Sequence, residues 1–392
     1  MPIQEPIVGI PGFEALEITG TKQVVTTTCT LRDKPICPQC KSEGPHRRKD
    51  LVPRRIRHVS IGMREHWLIV LVPKWRCRCG RYFRQQVPGV LPYQRATEQF
   101  KEEVVERHEH GHSLARIERS HDISWATTER WVHQRYAHRV SHQRERVAPR
   151  VLGIDEHFFT RKDGYATTFA NLETHRVFDV QLGRSELALK RFLDELPGKE
   201  FTEVVCIDLA ETYRAIAKRY FPNALIVADR FHVIRLVNQY LMEAWKQLEP
   251  VGRKHRGLIS LMRRKPSNLS PEQLLRLQAY FAEHPMVGVV YDKLQDLMAL
   301  LRNKHQTARE CRGLISQFLY VVEELRQAPM PQLKSLAATL WSWRDEIARM
   351  WRFTKSNAIT EGLHNKMEVI SRRAYGFRNF QNYRLRVRAL CG

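Results

Sequence analysis

Three apolar segments in the middle of the chain each run directly into an aspartate. Short runs of apolar, largely β-branched residues predict buried strands, and an acid at the end of a strand lies at the edge of a sheet. The segments are residues 151–154 before Asp155, 204–207 before Asp208, and 225–228 before Asp229. With further strands predicted over 165–170 and 176–180, and helices over 186–196 and 212–220, they constrain this region to a mixed α/β unit.

Three strand-end carboxylates in one unit repel one another unless something neutralises them. Mg²⁺ or Mn²⁺ is the simplest partner, because hard divalent cations prefer oxygen ligands. Two such ions about 4 Å apart activate a nucleophile and stabilise the leaving oxygen of a phosphodiester. The alternative is that each acid caps the following helix or pairs with an arginine. The capping alternative explains a single acid well, but three such acids together favour a metal site. This holds in particular in a chain with a formal net charge of +23, which favours a polyanionic partner.

A predicted helix near the end of the chain, beginning at Ser356 and Asn357, offers a further acid. Glu361 lies off its apolar stripe, on a polar face that also carries His364, Asn365 and Glu368. The stripe consists of Ile359, Leu363, Met367 and Ile370, and the flanking candidates for DNA contact are Lys366, Arg372 and Arg373. Alone, this helix would be interpreted as an exposed polar face. Beside the strand acids, Glu361 becomes a candidate metal ligand.

Two close cysteine pairs mark the amino-terminal region, Cys37-Pro38-Gln39-Cys40 and Cys77-Arg78-Cys79. Two short turns of this kind bring four thiolates to a tetrahedral zinc, which stabilises a domain too small to build a large core. The second pair has a shorter spacer than usual, so Cys29, His46 or His58 could replace one ligand. The alternative is four unmetallated cysteines in a small β domain. A redox pair is disfavoured, because no alternating strand and helix pattern surrounds it.

The pattern of apolar and capping residues over 96–135 predicts three short helices, spaced as in a helix-turn-helix motif. The first spans 96–110, Ser113 caps the second over 114–119, and Ser124 caps the third after a turn at 121–123. In this motif the last helix enters the major groove of DNA. The predicted core residues are Ile117 and Trp131, and the candidate DNA contacts are Thr127, Thr128, Arg130 and Arg135. The alternative is an ordinary three-helix connector.

The charge balance favours a polyanionic partner. The 392 residues include 65 Lys and Arg against 42 Asp and Glu. Surface Lys and Arg bind phosphates and release condensed counterions, so the sequence predicts nucleic acid as the partner. With 43% hydrophobic and 27% charged residues, a largely disordered or fibrous chain is excluded. The sequence predicts no membrane helix and no secretion signal, so we expect an intracellular, reducing compartment.

Taken together, the motifs resemble DDE transposases of the ISL-three family of bacterial insertion sequences, over nearly the whole chain. The resemblance rests on the cysteine pairs, the helix-turn-helix, Gly153-Ile154-Asp155-Glu156 and Ala228-Asp229-Arg230-Phe231-His232. Its most specific part is Asn357-x-x-x-Glu361-Gly362-x-x-Asn365, followed by Tyr375-Gly376-Phe377-Arg378-Asn379-Phe380. Residue by residue, the resemblance implies Asp155, Asp208 and Glu361 as the catalytic triad, with Asp229 as a close fourth.

The resemblance also implies a fold and an activity. The fold is multidomain α+β: a zinc-binding β region over 1–92, a helix-turn-helix over 93–140, and an RNase H-like α/β core over 151–235 and 346–392, interrupted by an all-helical insertion over 236–345. The activity is Mg²⁺- or Mn²⁺-dependent cleavage and strand transfer of double-stranded DNA, at element ends and target, by a homo-oligomer in the bacterial cytoplasm, associated with the nucleoid. Two alternatives remain open: a DNA-binding regulator with an inactive core, and an RNase H-like structure-specific nuclease.

Overall fold

The computed structural model describes residues 9–143, 147–252, 256–353 and 358–392. The chain divides into two compact units, one from Met1 to His138 and the other from Arg139 to Gly392. Each unit combines a five-stranded sheet with helices, so the predicted α+β class is confirmed. None of the described helices combines the length and the apolar character needed to cross a membrane.

The sheet of the first unit is assembled from the strands β1 (Phe13–Gly20), β2 (Val24–Leu31), β3 (Arg47–Ile61), β4 (Arg64–Arg76) and β5 (Tyr82–Arg84). Their order is β1-β2-β4-β3, with β5 also pairing with β4. Strands β2 and β4 are parallel, and the other neighbours are antiparallel. Alternate residues of β4, including Leu68, Val70 and Val72, are buried in the core of this sheet, as the period of a strand requires.

Three helices follow in sequence: α1 (Glu98–Glu109), α2 (Leu114–His121) and α3 (Trp125–Ser141). The hydroxyl of Thr97 caps α1 by accepting from the amide of Phe100. Ser113 caps α2 as predicted, by accepting from the amide of Arg116. The left-handed backbone of Asp122, with a φ of 50°, ends α2 and allows the chain to turn before α3 begins.

The inner face of α3 corrects one prediction. Thr128 was predicted to face DNA, but its side chain is fully buried. Trp131 and Val132 follow Thr128 by three and four residues, so all three lie on the same buried face of the helix. Ile117 and Trp131 are both buried, which confirms the two predicted core positions.

The outer face of α3 carries the remaining candidates for DNA contact. Arg130 and Arg135 are exposed, and Thr127 is half-buried near the start of the helix. The guanidinium of Arg135 lies 3.2 Å from the carboxylate of Glu102, so part of its charge is compensated. Arg130 makes no ion pair within the described part of the chain, which leaves its charge available to a ligand.

The sheet of the second unit consists of the strands β6 (Val151–Thr160), β7 (Gly164–Asn171), β8 (Arg176–Leu182), β9 (Val204–Ile207) and β10 (Leu225–Ala228). Their order is β10-β9-β6-β7-β8. Strands β10, β9 and β6 run parallel to one another, whereas β7 and β8 continue the sheet in antiparallel fashion. All five strands predicted for this region are present.

Helices surround this sheet. Two of them, α4 (Glu186–Glu195) and α5 (Glu211–Tyr220), connect strands. After β10 come α6 (Arg230–Leu248), α7 (Arg256–Arg263), α8 (Pro271–Glu283), α9 (Pro285–Leu301), α10 (Ala308–Gln327), α11 (Pro331–Ser342) and α12 (Arg344–Arg349). The last two are α13 (Ala358–Arg373) and α14 (Phe380–Cys391). No strand occurs among the described residues between 236 and 345, in agreement with the predicted helical segment.

Two hydrophobic cores cover the two faces of the second sheet. On one face, Ile154 packs with α4, α5 and the helical segment, in a core that includes the fully buried Trp245. On the other face, Ala166 packs with α13 and α14, and α13 contributes Leu363 and Met367. The predicted apolar stripe of α13 therefore faces the sheet, and the helix that carries Glu361 is fixed beside it.

Candidate functional site

The register of the three parallel strands places three aspartates side by side. Ile154 of β6 pairs with Ile207 of β9, which pairs with Ala228 of β10. The residues that follow these three are Asp155, Asp208 and Asp229. The amide of Asp229 donates to the carbonyl of Ile207 at 2.7 Å, so the alignment continues beyond the last paired residue of β10. The predicted meeting of the three acids is thus built into the sheet.

Asp155 itself does not end its strand, so this part of the prediction is wrong. Strand β6 continues to Thr160, because the residues after Asp155 still pair with β7. The parallel neighbour β9 is shorter and stops at Ile207. Asp155 therefore lies beside the end of β9. The three acids are adjacent in the sheet, although only Asp208 and Asp229 directly follow the end of a strand.

Burial and mutual repulsion make these carboxylates costly to ionise. Asp155 is 5% exposed, and its burial, together with the charges of Asp208 and Asp229, raises its pKa to about 7. Burial and the charges of Glu156 and Asp229 raise the pKa of Asp208 to about 6. A cation bound among these side chains would relieve both effects.

Replacing Asp155 by Asn should stabilise the protein when no Mg²⁺ or Mn²⁺ is added. The folded pKa of about 7 exceeds the unfolded value of about 3.9, so the penalty for ionising Asp155 grows between these values and is complete above them. We expect a gain of about 1–4 kcal/mol in the free energy of unfolding at pH 8, and none near pH 4. Denaturant titrations at both pH values measure it, with the exposed Asp345→Asn as the control. Equal stabilities at pH 8 would contradict the electrostatic interpretation.

Asp208 and Asp229 differ in what their oxygens contact. Asp229 is fully buried and caps α6, accepting from the amides of Phe231 at 3.3 Å and His232 at 3.4 Å. Asp208 caps nothing, because α5 begins after Ala210 without a side-chain cap. Its Oδ1 is buried and has no hydrogen-bond partner among the described residues. The alternative that each acid caps a helix therefore holds for Asp229. In Asp208, by contrast, the Oδ1 oxygen remains available to a ligand.

Helix α13 brings Glu361 to these acids. Glu361 is exposed in the first turn, and the Nδ1 of His364, one turn later, lies 3.8 Å from Asp155 Oδ2. His232 lies 3.6 Å from Asp229; burial lowers the pKa of this histidine, and the nearby charges of Asp229 and Glu361 oppose the shift. The helix acid Glu361 therefore lies close enough to act on the same histidine as Asp229. The predicted helix start, Ser356 and Asn357, lies outside the described residues.

A hydrogen-bonded row of buried and half-buried side chains behind Asp155 was not predicted from the sequence. The hydroxyl of Tyr383 lies 2.8 Å from His157 Nε2, and His157 Nδ1 lies 3.0 Å from the hydroxyl of Thr168. The same hydroxyl lies 3.1 Å from His364 Nε2. Burial lowers the pKa of His157 to about 3 and that of His364 to about 4, so both rings are neutral. The row ends against Asp155 and supports it from within the fold.

Spacing was the available signal for the three histidines of the site. His157 follows Asp155 by two residues on a strand, which places both on one side. His232 follows Asp229 by three residues, and His364 follows Glu361 by three, which places each pair on one side of a helix. The other members of the row, Thr168 and Tyr383, gave no local signal, because they come from β7 and α14.

The position of α14 is fixed by an ion pair to a buried aspartate. Arg384 donates two hydrogen bonds to Asp179 of β8, at 2.6 and 2.7 Å, and Asp179 is only 5% exposed. Arg388, one turn later, lies 3.6 Å from the same carboxylate. A bidentate contact of this kind holds both partners in one geometry. Tyr383, which precedes Arg384, is thereby held against His157.

The flank of α13 carries the three other predicted DNA contacts. Lys366, Arg372 and Arg373 are exposed. Arg372 lies 2.6 Å from the carboxylate of Glu368, one turn earlier, so part of its charge is compensated within the helix. Positive charge thus extends along the helix that begins beside Glu361.

The four paired cysteines form a separate, preassembled site in the first unit. Their sulfurs all lie within 4.8 Å of one another, with 3.8 Å between Cys37 and Cys79 and 3.5 Å between Cys40 and Cys77. Four thiolates around zinc at about 2.3 Å lie about 3.8 Å apart, so the cluster fits this ion. The amide of Gly80 closes the second turn by donating to Cys77 at 3.0 Å. The φ of 89° at Gly80 suits glycine and lets the shorter pair form a tight turn.

None of the substitute ligands considered for the shorter pair belongs to the described group of four ligand atoms. Cys29 is buried in the core of the sheet, and this burial raises the pKa of its thiol to about 12. His46 Nε2 lies 3.0 Å from the carbonyl of Ser42, and His58 Nδ1 lies 2.9 Å from the hydroxyl of Thr97. The four cysteines therefore suffice as ligands, and the geometry supports a structural zinc.

Two family models match the chain. A family model described as transposase matches residues 152–387, which contain all four acids. A second model, described as the zinc-finger of transposase IS204/IS1001/IS1096/IS1165, matches residues 33–79, which contain the four paired cysteines.

Two curated relatives share extended similarity with the chain. The transposase for insertion sequence element IS1001 of Bordetella parapertussis is 24% identical over 370 residues, which cover 90% of this chain and 88% of the relative. The transposase for insertion sequence element IS1557 of Mycobacterium tuberculosis is 21% identical over 262 residues, which cover 59% of this chain and 58% of the relative. The similarity to the first therefore includes both units.

Proposed function

Because the chain belongs to the transposase family whose model matches residues 152–387 and is an insertion-sequence transposase, we propose that Asp155, Asp208 and Glu361 form its site for DNA cleavage and strand transfer. The observation that carries this proposal is the approach of the Glu361 helix to the row of strand acids. We assign Asp229, the fourth acid, to capping α6 at the edge of the site.

We also assign the second unit to the RNase H-like fold. On one side of the central β6 lie the parallel strands β9 and β10, and on the other lies the antiparallel pair of β7 and β8, which supports the assignment. The core would comprise residues 151–235 and 346–392, with the helical segment 236–345 inserted between β10 and the Glu361 helix. Such an insertion leaves the sheet intact, because the helices begin after its last strand.

The donor set fits Mg²⁺ or Mn²⁺. Carboxylate oxygens are the ligands these cations prefer, and Asp208 offers a buried oxygen without a hydrogen-bond partner among the described residues. Within the described ranges, only the four cysteines form a group of three or more ligand atoms that all lie within 4.8 Å of one another. The carboxylates are therefore not close enough to one another to enclose a single ion by themselves. We propose that Asp155, Asp208 and Glu361 hold the ions together with DNA. When bound, the ions would activate the attacking oxygen and stabilise the leaving oxygen.

Neighbouring side chains and the backbone hold the carboxylate of Asp155 in place. The Oδ1 of Asp155 accepts a 2.8 Å hydrogen bond from the amide of Glu156, while the hydrogen-bonded row from Tyr383 to His364 supports Asp155 from behind. Glu361 is exposed, so DNA can approach from its side. In the proposed reaction, water cleaves a phosphodiester and frees a 3′-hydroxyl, which then attacks a target phosphodiester. No covalent bond between protein and DNA is required.

Cleavage of a labelled duplex carrying the element ends tests this proposal against its alternatives. Mg²⁺ or Mn²⁺ should support cutting at the ends, and Ca²⁺ should support binding without cutting. A regulator with an inactive core would bind the ends and cut with none of these cations. A structure-specific nuclease would cut branched DNA without preferring the ends. The size of the protein–DNA complex in the same mixtures tests the proposed homo-oligomer.

We propose that residues 93–140 form the helix-turn-helix that recognises the element ends. The tight turn at Asp122 between α2 and α3, and the exposure of Arg130, support this role. With Thr128 in the core, the recognition surface reduces to Thr127, Arg130 and Arg135. Arg130 is the strongest candidate for a base contact, because no carboxylate within the described residues compensates its charge.

Arg130→Ala should weaken binding to the terminal repeat by about 1–3 kcal/mol if the guanidinium contacts a base. Binding to unrelated duplexes of the same length should change much less, because base contacts are specific to sequence. Titrations with both duplexes at one salt concentration measure the difference. Arg119→Ala, which removes the same charge from α2, is the matched control. An equal loss on both duplexes would mean that Arg130 contacts phosphate, and the assignment to the groove would be wrong.

A further inference from the structure

We propose that the zinc-binding region carries a second DNA surface, which docks the phosphate backbone of duplex DNA. This basic sheet face consists of Arg47, Lys74, Arg76, Tyr82 and Arg84, on β3, β4 and β5. None of these residues belongs to the acid site or the helix-turn-helix. The proposal deepens the proposed function, since it rests on DNA as the substrate.

Strand register places these side chains on one side of the sheet. Arg47 of β3 pairs with Arg76 of β4, which pairs with Tyr82 of β5. Two residues earlier on β4, Lys74 pairs with Arg84. Side chains at paired positions share a face, and so do residues two apart on a strand. The basic sheet face is therefore two adjacent rows that cross the three strands.

The opposite side of the same strands is occupied by the zinc site. Trp75 and Phe83, which pair with each other between the two basic rows, pack with Cys37 and Cys77. The zinc turns therefore support the strands from one side only. On the other side the four cationic residues are exposed, and Tyr82 is 49% exposed.

The charge of the basic sheet face is largely uncompensated. Within the described part of the chain, none of its Lys or Arg residues forms an ion pair. Arg76 and Lys74 instead lie 5.5 and 5.9 Å from the ring of Tyr82. The single acid in these rows, Asp50, pairs with Lys74 in register, and its carboxylate accepts from the amide of Leu51 at 2.8 Å. Four close positive charges repel one another until a polyanion binds.

Duplex phosphates fit this surface better than bases do. The cationic side chains stand in rows on a sheet rather than on a helix that could enter a groove. Phosphate contacts from Lys and Arg release counterions and are insensitive to sequence. The basic sheet face would therefore add affinity and hold the DNA, while recognition of the terminal repeat stays with α3.

The dependence of binding on salt tests the proposal in the full-length, zinc-containing protein. The variant Arg47→Ala/Lys74→Ala/Arg76→Ala is compared with Arg48→Ala/Arg78→Ala/Arg81→Ala, which removes three charges of the same region outside these rows. Both are titrated with the element-end duplex and an unrelated duplex, from 50 to 200 mM salt, without added Mg²⁺ or Mn²⁺. The first variant should bind both duplexes more weakly by the same factor, roughly tenfold or more. Its slope of log K against log salt should fall by about 2–3.

The control variant should keep the slope of the unaltered protein, and an equal fall in both variants would overturn the assignment to this face. So would an unchanged slope in the first variant, or a loss confined to single-stranded DNA, which would point to base stacking on Tyr82. If the triple variant loses its zinc, Arg47→Gln and Arg76→Gln replace it, each with an expected fall of about 0.9. Cleavage is scored separately at saturating protein. If the unaltered protein does not cut, the proposed function fails while this binding result stands.

Discussion

Strand cleavage should be lost when Asp155, Asp208 or Glu361 is replaced by alanine, while binding to the terminal repeat persists. Each substitution removes a carboxylate from the proposed metal site, and none changes the exposed face of α3. We expect cleavage rates to fall by at least roughly 10²–10³-fold, because the charge that stabilises the transition state is lost. Gel assays of a labelled element end measure cleavage, and the same duplex in Ca²⁺ measures binding.

Glu368→Ala is the matched control for the helix acid. Glu368 lies on α13 two turns after Glu361, is exposed, and pairs with Arg372. Its loss should leave cleavage within about threefold of the unaltered protein, because surface ion pairs contribute little. Normal cutting by Glu361→Ala would reject the proposed triad and reopen the regulator and nuclease alternatives.

Substitutions of Asp229 test whether Asp208 or Asp229 is the second aspartate of the catalytic site. As a cap, it should tolerate replacement by Asn, which caps helices as well as Asp does, whereas Asp229→Ala should cost about 1 kcal/mol of stability. If Asp229 were a metal ligand instead, neither replacement would preserve cleavage. Loss of cleavage in Asp229→Asn, with cleavage retained in Asp208→Ala, would move the second ligand to β10.

The strands of the second unit were predictable because their residues are buried. The observed bounds of β9 and β10 coincide with the predicted apolar runs 204–207 and 225–228. Strand β6 extends past its predicted end because pairing with β7, not burial, continues it, and the residues from Glu156 onward are only partly buried or exposed. Apolar content locates the buried part of a strand, but its partner determines where pairing stops.

Long-range contacts explain what the sequence did not reveal. The row behind Asp155 joins β6, β7, α13 and α14, and Tyr383 lies 226 residues from the histidine it contacts. Thr128 was misplaced for a different reason: a threonine on a helix is compatible with either face, and the burial of Trp131 three residues later decides which. The convergence of the acids was predictable, whereas the side chains that support them depend on the folded topology.

Replacing Cys37 by Ser should abolish zinc binding and unfold the region around the two cysteine turns. The apolar cluster there consists of the buried Cys37, Cys77 and Phe83, with Trp75 packed against it, so the metal supplies most of the stability. Structural zinc sites of this kind contribute apparent binding energies of about 10–16 kcal/mol at neutral pH, far more than this cluster can replace. Metal analysis should give about one zinc per chain for the unaltered protein and none for the variant.

The loss should stay local, which distinguishes a zinc site from general destabilisation. The second unit has its own two cores, and none of the four cysteines contributes to them. Protease digestion should therefore cut Cys37→Ser between residues 33 and 84 and leave 151–392 protected, and a strong chelator should have the same effect on the unaltered protein. Cys29→Ala, a buried cysteine of the first unit outside the cluster, should keep its zinc and its resistance to protease. If Cys37→Ser lost its zinc yet remained resistant to protease between residues 33 and 84, the strands β3 to β5 would be stable without the metal. The cysteines would then be ordinary core residues.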